Sequence, residues 1–450
     1  MAGSCSFDRP AFEQWLEARN PAQPEFRQAV LEVLADVEPL LAQDAEFGRC
    51  SVMERLSEPE RIISFRVTWV DKEGQAQVNR GWRVQHCGVI GPYKGGIRFH
   101  PTVTESVLKF LAFEQTFKNA LTGLAMGGAK GGADFDPRGR SDAEIMRFCQ
   151  AFMRELYRHI GATTDIPAGD INVGSREIGF LFGEYRRLKN HFDGALTGKG
   201  LDFGGSHVRL EATGFGLVYF LEEMLAAEED KLEGKTVAVS GAGNVALHAA
   251  RKCVELGARV ISLSASDGTL HVKDGLTIED IDGILHGELR SGEALQALSE
   301  KGRGEWLDKE RPWHLCCDVA LPCATQNELN ADDAKALVEN GCRYVAEGAN
   351  MPCTQEAQDF LEEADIRHAP GKASNAGGVA LSGLEMHQNA SFVSLPYDEL
   401  DVQLRGIMQR IHKKCCENGR TEQGRIHYRR GANIAGFSHV ARALVAQGIG

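Results

Sequence analysis

The sequence has no run of about 18 or more apolar residues, the length an α-helix needs to cross a bilayer, so no membrane span is expected. Its opening, MAGSCSFDRPAFEQW, lacks a basic stretch followed by an apolar one, so a secretory signal is not expected and the cytoplasm is the expected location. There is no C-x-x-C pair and no Cys/His cluster, so no metal site is expected. The 12 cysteines are scattered and read as free, mostly buried thiols. Positive charge is the scarcer sign, with 50 Lys+Arg against 63 Asp+Glu and a formal charge of -13, which argues against nucleic acid or an anionic membrane as a partner. Internal repeats and low-complexity linkers are also missing. What remains is a 450-residue chain that is 43% hydrophobic, enough for two or three domains with their own cores.

The segment 25–42 places Val30, Leu31, Leu34, Val37 and Leu41 at helical spacing, which predicts an amphipathic helix. RIISFRVTWV alternates Ile63, Phe65, Val67 and Trp69 with mostly polar neighbours, DKEGQ supplies a turn, and AQVNRGWRVQHC continues the strand character. Together they predict a β-hairpin. Helical periodicity returns over 105–121, and again in SDAEIMRFCQAFMRELYRHIG, where Ser141 and Glu144 have the spacing of a capping box. From about residue 205 the pattern changes to helix, strand, glycine turn, helix and strand, the order of a β-α-β unit on a parallel sheet. The short apolar runs CCDVALPCA and CRYVAEGAN extend that sheet to about residue 375, and the remainder reads as helical.

VAVSGAGNVA sets Gly241 and Gly243 between a strand and a helix, with Ala246 in the third place of G-x-G-x-x-[GA]. The first glycine allows the tight turn, the second lets backbone approach a pyrophosphate, and the small third residue lets helix pack on strand. Asp267 closes the next strand about 24 residues beyond Gly243, as a dinucleotide fingerprint requires. Three lysines precede it: Lys94 in GPYKGGIRFHP, Lys118 in EQTFKNAL and Lys130 in GGAKGG. Locally, Lys94 and Lys130 fit solvated turns as well as they fit a site. Lys118 has the spacing either to pair with Glu114 on a helix surface or to join Gln115 in presenting an ammonium and an amide to a carboxylate. A P-loop is excluded, because GLAMGGAKGG lacks the G-K-[ST] order. Asp170, ending TDIPAGD, reads by itself first as ordinary turn chemistry, with a proton-transfer group near the lysines as the alternative.

Taken in order, PYKGGIRFHP, FEQTFKNAL, MGGAKGGADFDP, PAGDINVGSREIG, LTGKG, EATGFG, LPCATQNEL, VAEGANMP and NAGGVALSGLEM resemble the small hexameric glutamate dehydrogenases, from about residue 45 onward. The resemblance implies a two-domain α/β amino-acid dehydrogenase. It comprises an N-terminal α/β substrate-binding and oligomerisation domain (1–205), a Rossmann-type dinucleotide-binding domain (206–375) and a C-terminal helical segment (376–450) returning to the first. A cleft closing over the substrate and assembly as a homohexamer are implied with it. By the same resemblance Lys94 and Ser382 hold the side-chain carboxylate of L-glutamate, Gln115 and Lys118 bind its α-carboxylate, and Ala168 and Val379 line the pocket. Lys130 is the catalytic lysine and Asp170 transfers protons. The dinucleotide falls to Arg209, Thr213, Gly241, Gly243, Asn244, Val245, Ser264, Asp267, Arg290, Asn350 and Asn375. An amino dicarboxylate does need two cationic anchors, and imine formation and hydrolysis need a general acid and base.

For the cofactor's 2′ position the residues pull in opposite directions. Asp267 suits a ribose hydroxyl and hence NAD, whereas Arg290 in GELRSG matches a basic position used for a 2′-phosphate, with Ser264 and Ser266 as hydrogen-bond donors. Many NADP-dependent relatives carry S-D-S where this chain has Ser264, Ala265 and Ser266. The frequency of NADP preference among small bacterial-type members tips the expectation to NADP over NAD. Two alternatives stand beside glutamate, 2-oxoglutarate and ammonium as ligands. One is a dehydrogenase of leucine, valine or phenylalanine, which would leave Lys94 and Ser382 facing an alkyl group. The other is a catalytically silent nucleotide-binding regulator, which would be expected to have lost a lysine or the aspartate.

Overall fold

A computed structural model describes residues 7–449. The chain divides into two compact units, one formed by 1–207, 382–397 and 433–450, the other by 208–381 and 398–432. No helix among the described residues is long and apolar enough to cross a membrane.

The first unit is built on a five-stranded sheet: β1 (Arg61–Val70), β2 (Ala76–Cys87), β3 (Tyr93–Phe99), β4 (Gly128–Ala133) and β5 (Asp165–Gly169), in the order β1-β2-β4-β3-β5. The expected hairpin is β1–β2, antiparallel from Arg61 opposite Gln85 to Val70 opposite Ala76. β4 runs antiparallel to β2, while β3 is parallel to both β4 and β5. Because side chains alternate between the faces of a strand, register assigns each residue to a face. On one face Val67, Trp69, Ile97 and Phe99 pack with Phe148 and Phe152 of the helix Asp142–Leu156, which begins with the capping box of Ser141 and Glu144. On the other, Trp82 and Val84 meet Leu108 and Ala112 of the helix Glu105–Thr122.

One polar group is sealed into the first of these faces. Arg83 and Asp165 are both fully buried and form an ion pair, with Arg83 Nε 2.9 Å from Asp165 Oδ2, and Gln85 Nε2 donates to the same oxygen at 2.9 Å. Arg83 Nη1 also donates to the carbonyl of Gly95 at 3.1 Å, so one guanidinium ties β2 to β3 and β5. Replacing Arg83 by methionine leaves a buried carboxylate without its cation and should destabilise the unit by about 3–5 kcal/mol, read from the denaturant midpoint; a loss under about 1 kcal/mol would contradict this account.

The second unit holds a seven-stranded sheet of β6 (Thr236–Val239), β7 (Arg259–Ala265), β8 (Gly268–His271), β9 (Glu305–Asp308), β10 (Val319–Leu321), β11 (Tyr344–Ala346) and β12 (Arg367–Ala369), in the order β12-β11-β10-β6-β7-β8-β9. The β12-β11-β10-β6-β7 portion is parallel, and β8 and β9 add an antiparallel edge that the hydrophobic pattern had not separated from its surroundings. From β6 the chain goes first to β7 on one side and later to β10 on the other. That reversal creates a crevice at the carboxyl ends of the strands, where ligands of doubly wound sheets bind.

The C-terminal stretch does not group as a single return to the first unit. Residues 398–432 cluster with the second. The cause is packing along the helix Tyr397–Gly419: Tyr219 donates to Asp401 at 2.6 Å, and a side chain on Gly216 would stand 3.3 Å from the Met408 sulfur. Every described cysteine is a free thiol.

Candidate active site

Register brings the strand-borne candidate residues of the first unit onto one sheet face. Lys130 lies opposite Val84 and so faces the helix Glu105–Thr122. The pairings of Arg98 with Gly132 and of Gly96 with Ala168 put Lys94, Gly96, Arg98, Ala168 and Asp170 on that same face. Lys94 and Lys130 are therefore strand residues, 2% and 5% exposed, and the solvated-turn reading does not hold for either. The glycines around Lys130 serve approach rather than bending. A methyl group on Gly128 would lie 1.9 Å from Thr116 Oγ1 of the overlying helix, and one on Gly96 would lie 2.8 Å from Asp170 Cβ. Bare backbone lets the helix seat on β4 and lets Asp170 come in over β3.

Lys130 Nζ is 3.2 Å from Asp170 Oδ1, and Arg98 Nε donates to Asp170 Oδ2 at 2.7 Å. Burial, the largest single influence, pushes the Asp170 carboxyl up, but Lys130 and Arg98 together outweigh it and hold the group down at about 2. The Lys130 ammonium is shifted below the ordinary lysine value, first by burial and then by Arg98 and Arg83, with Asp170 opposing. The pair is thus a carboxylate beside an ammonium that gives up its proton more readily than a surface lysine.

Lys94 Nζ donates to Thr197 Oγ1 at 2.8 Å. The loop carrying Thr197 is held in turn: Gly198 N–H donates to Glu385 Oε2 at 2.8 Å, and Lys199 forms a fully buried ion pair with Glu385 Oε1 at 3.0 Å. Glu385 lies three residues beyond Ser382 on the helix Gly377–Ser391. Gln115 donates to Asn119 at 2.7 Å, and Asn119 Nδ2 donates to the Lys94 carbonyl at 3.0 Å, so this helix face also fixes the backbone of β3. Lys118 sits half-buried one turn from Gln115 on the same helix. Thr197, Glu385, Asn119 and Arg98 were missed as participants although each lies inside a motif that had been singled out. The signal was there, but their roles depend on contacts between segments.

In the second unit the glycine turn follows β6. Gly241 has φ +85°, open to glycine at little strain, and a side chain there would meet Ala324 after β10 at 3.1 Å. Gly243 is the N-cap of the helix Asn244–Glu255 and supplies no side-chain cap; a Cβ there would find nothing within 4 Å. Uncapped N–H groups beside open space suit a pyrophosphate, and the helix dipole favours it. Val245 is in the first turn, and Asn244 Nδ2 donates to the Leu210 carbonyl. Ser264 is already engaged, its Oγ accepting from Gly241 N–H at 2.8 Å. Asp267 and Arg290 are exposed; Asp267 accepts from Gln296 at 2.7 Å and lies beside Gly292, in the first turn of the helix Ser291–Glu300, whose N-cap is Arg290. Asn375 Nδ2 donates to the carbonyls of Gly348 and Ala349 and to Asn350 Oδ1, which gathers both asparagines at the end of β11. Arg209 and Thr213 lie next to Gly378, one residue before the half-buried Val379. Behind this loop Glu347, Cys353 and His368 come together, buried, though far apart in sequence. Glu347 accepts from Gly371 N–H at 2.7 Å and contacts His368 Nε2 at 3.0 Å, so the group acts as a polar clasp on the strand ends.

A glycine-turn nucleotide crevice in one unit and a buried lysine–aspartate pair on a sheet face in the other match the expected pattern of an amino-acid dehydrogenase. Residues 204–448 match the family model described as Glutamate/Leucine/Phenylalanine/Valine dehydrogenase, and residues 59–187 match the Glu/Leu/Phe/Val dehydrogenase dimerisation domain. The chain belongs to the Glu/Leu/Phe/Val dehydrogenase family. It is 54% identical to an NAD-specific glutamate dehydrogenase of Bacteroides fragilis over 96% of this chain and 98% of that one. It is 53% identical to an NADP-specific glutamate dehydrogenase of Escherichia coli over 99% of both. The crystal structure of Plasmodium falciparum glutamate dehydrogenase superposes with a TM-score of 0.95 at 46% identity, covering 98% of this chain and 94% of the other. Family relatives of both cofactor specificities thus match this chain about equally well.

Proposed function

We infer that the protein is an NAD(P)-dependent glutamate dehydrogenase, interconverting L-glutamate with 2-oxoglutarate and ammonia. The observation that carries this reading is the buried contact of Lys130 with Asp170 on the face that also presents Lys94. In this reading Lys94, supported by Thr197 and joined by Ser382, receives the side-chain carboxylate, and Gln115 and Lys118 receive the α-carboxylate, with Ala168 and Val379 lining the pocket. The dinucleotide would be held by the glycine turn at Gly241 and Gly243 and by Asn244, Val245, Arg209, Thr213, Asn350 and Asn375, and when bound it would offer its nicotinamide ring as the hydride acceptor. Lys130 activates the water that adds to the α-imino carbon, and Asp170 takes up and returns the proton as ammonia leaves. A leucine-type substrate fits poorly, because it would set an alkyl group against the buried Lys94 ammonium.

NADP is the proposed preference, with Arg290 toward the 2′-phosphate, and the working form is a cytoplasmic homohexamer. Incubation with 2-oxoglutarate and ammonium, using NADH and NADPH in parallel, should give loss of reduced-nucleotide absorbance, faster with NADPH. No oxidation of either by folded protein would overturn the activity, and faster turnover of NADH would overturn the preference. Light scattering on the purified protein checks the hexamer.

A further inference from the structure

Arg98 has no part in the reading above, yet it makes the shorter of the two contacts to the Asp170 carboxylate. Its Nε donates to Oδ2 at 2.7 Å while Lys130 Nζ stands 3.2 Å from Oδ1. The three side chains are well buried, at 16%, 14% and 6% exposure for Arg98, Asp170 and Lys130. Strand alternation sets Arg98 two residues from Gly96, whose missing side chain is the space Asp170 Cβ occupies. The carboxylate is therefore gripped at both oxygens by cations from two neighbouring strands, β3 and β4. From the opposite sheet face Arg83 of β2 adds positive potential, largely answered by its own partner Asp165.

We propose that Arg98 is the positioning residue of the proton relay: it anchors Asp170 through Oδ2 so that Oδ1 is presented to Lys130, and its fixed charge sets the pH range over which the relay works. The inference rests on the reading of Lys130 and Asp170 as the proton-transfer pair. A carboxylate held at one oxygen only can rotate away from its partner, and small misplacements in such pairs carry large rate penalties. The charge acts on both members, since Arg98 lowers the Asp170 carboxyl and the Lys130 ammonium alike. Without it Asp170 protonates at higher pH, and Lys130, left with the full attraction of Asp170, keeps its proton to higher pH. Both changes move the acidic limb of the pH profile upward.

The test compares pH profiles of kcat and kcat/KM for glutamate oxidation in the full-length enzyme with Arg98→Gln, Arg98→Lys, Asp170→Asn and Lys130→Gln. Arg98→Gln should lower kcat by about 10- to 100-fold and move the acidic limb up by about one pH unit. Arg98→Lys, which restores the charge, should return the limb toward its parental position. The inference is overturned if Arg98→Gln keeps the parental limb and kcat while Asp170→Asn loses activity. It is also overturned if Arg98→Lys shifts the limb as far as Arg98→Gln, since loss of shape rather than charge would then be responsible. If Asp170→Asn and Lys130→Gln themselves retain the parental profile, the relay reading fails, and that outcome is separate. Should Arg98→Gln not fold, Arg98→Met replaces it under the same criteria, and failure of every neutral variant to fold while Arg98→Lys is fully active with an unchanged profile would make Arg98 structural and overturn the proposal.

Discussion

Replacing Lys130 by glutamine should lower kcat for glutamate oxidation by about 10²- to 10⁴-fold, the usual range for losing a positioned acid–base group, with a much smaller change in KM. Glutamine keeps a hydrogen-bonding amide on a side chain one atom shorter but cannot exchange a proton near neutral pH. The side chain is buried against Asp170, and burial, Arg98 and Arg83 shift its proton affinity downward. Its neutral form is therefore available at lower pH than for a solvated lysine. Arginine at the same position stays charged to high pH, so Lys130→Arg at saturating substrate should differ from the parent in both the magnitude and the shape of its pH profile. A profile matching in both would remove Lys130 from the chemistry.

Replacing Lys94 by leucine should reduce kcat/KM for glutamate by about three orders of magnitude while changing norvaline by less than about tenfold. The ammonium is 2% exposed and hydrogen-bonded to Thr197, in a position paired with Ile166 across the sheet. A substrate carboxylate placed there brings an opposite charge to the buried ammonium, whereas an alkyl chain brings none. Leucine removes the attraction for the first substrate and the penalty against the second. Steady-state kinetics with both amino acids on parent and variant decide the matter, and equal losses would show that Lys94 does not read the side chain.

The elements legible in advance were those whose period is written in apolar residues. The β1–β2 hairpin, the helices beginning at Pro24, Glu105 and Asp142, and the β6 turn with its glycines all follow from alternation, helical spacing or turn chemistry. β4 was not legible as a strand because five of its six residues are glycine or alanine flanking one lysine, so no hydrophobic period marks it. Its burial comes from neighbours, β2 and β3 on either side and the helix Glu105–Thr122 above, which local sequence does not contain. The division of the C-terminal stretch was hidden for the same reason, since Asp401 and Met408 are ordinary helix residues until Tyr219 and Gly216 are placed beside them. The site residues came from ordered motifs, and what those motifs left out were the supports: Arg98 behind Asp170, Thr197 under Lys94 and Glu385 holding the Thr197 loop.

The hydrogen bond from Gly241 N–H to Ser264 Oγ joins the glycine turn to the end of the strand that leads to the 2′ position. A change at Ser264 would therefore disturb the turn along with any contact to the ribose, whereas Asp267 and Arg290 are exposed and tied mainly to the nearby helix Ser291–Glu300, through Gln296 and as its N-cap. Selection is left with an uneven menu. The buried end of this strand is held by its duty to the fold, whereas the exposed positions beyond it are less constrained by packing. Relatives of both specificities stand at nearly equal distance from this chain.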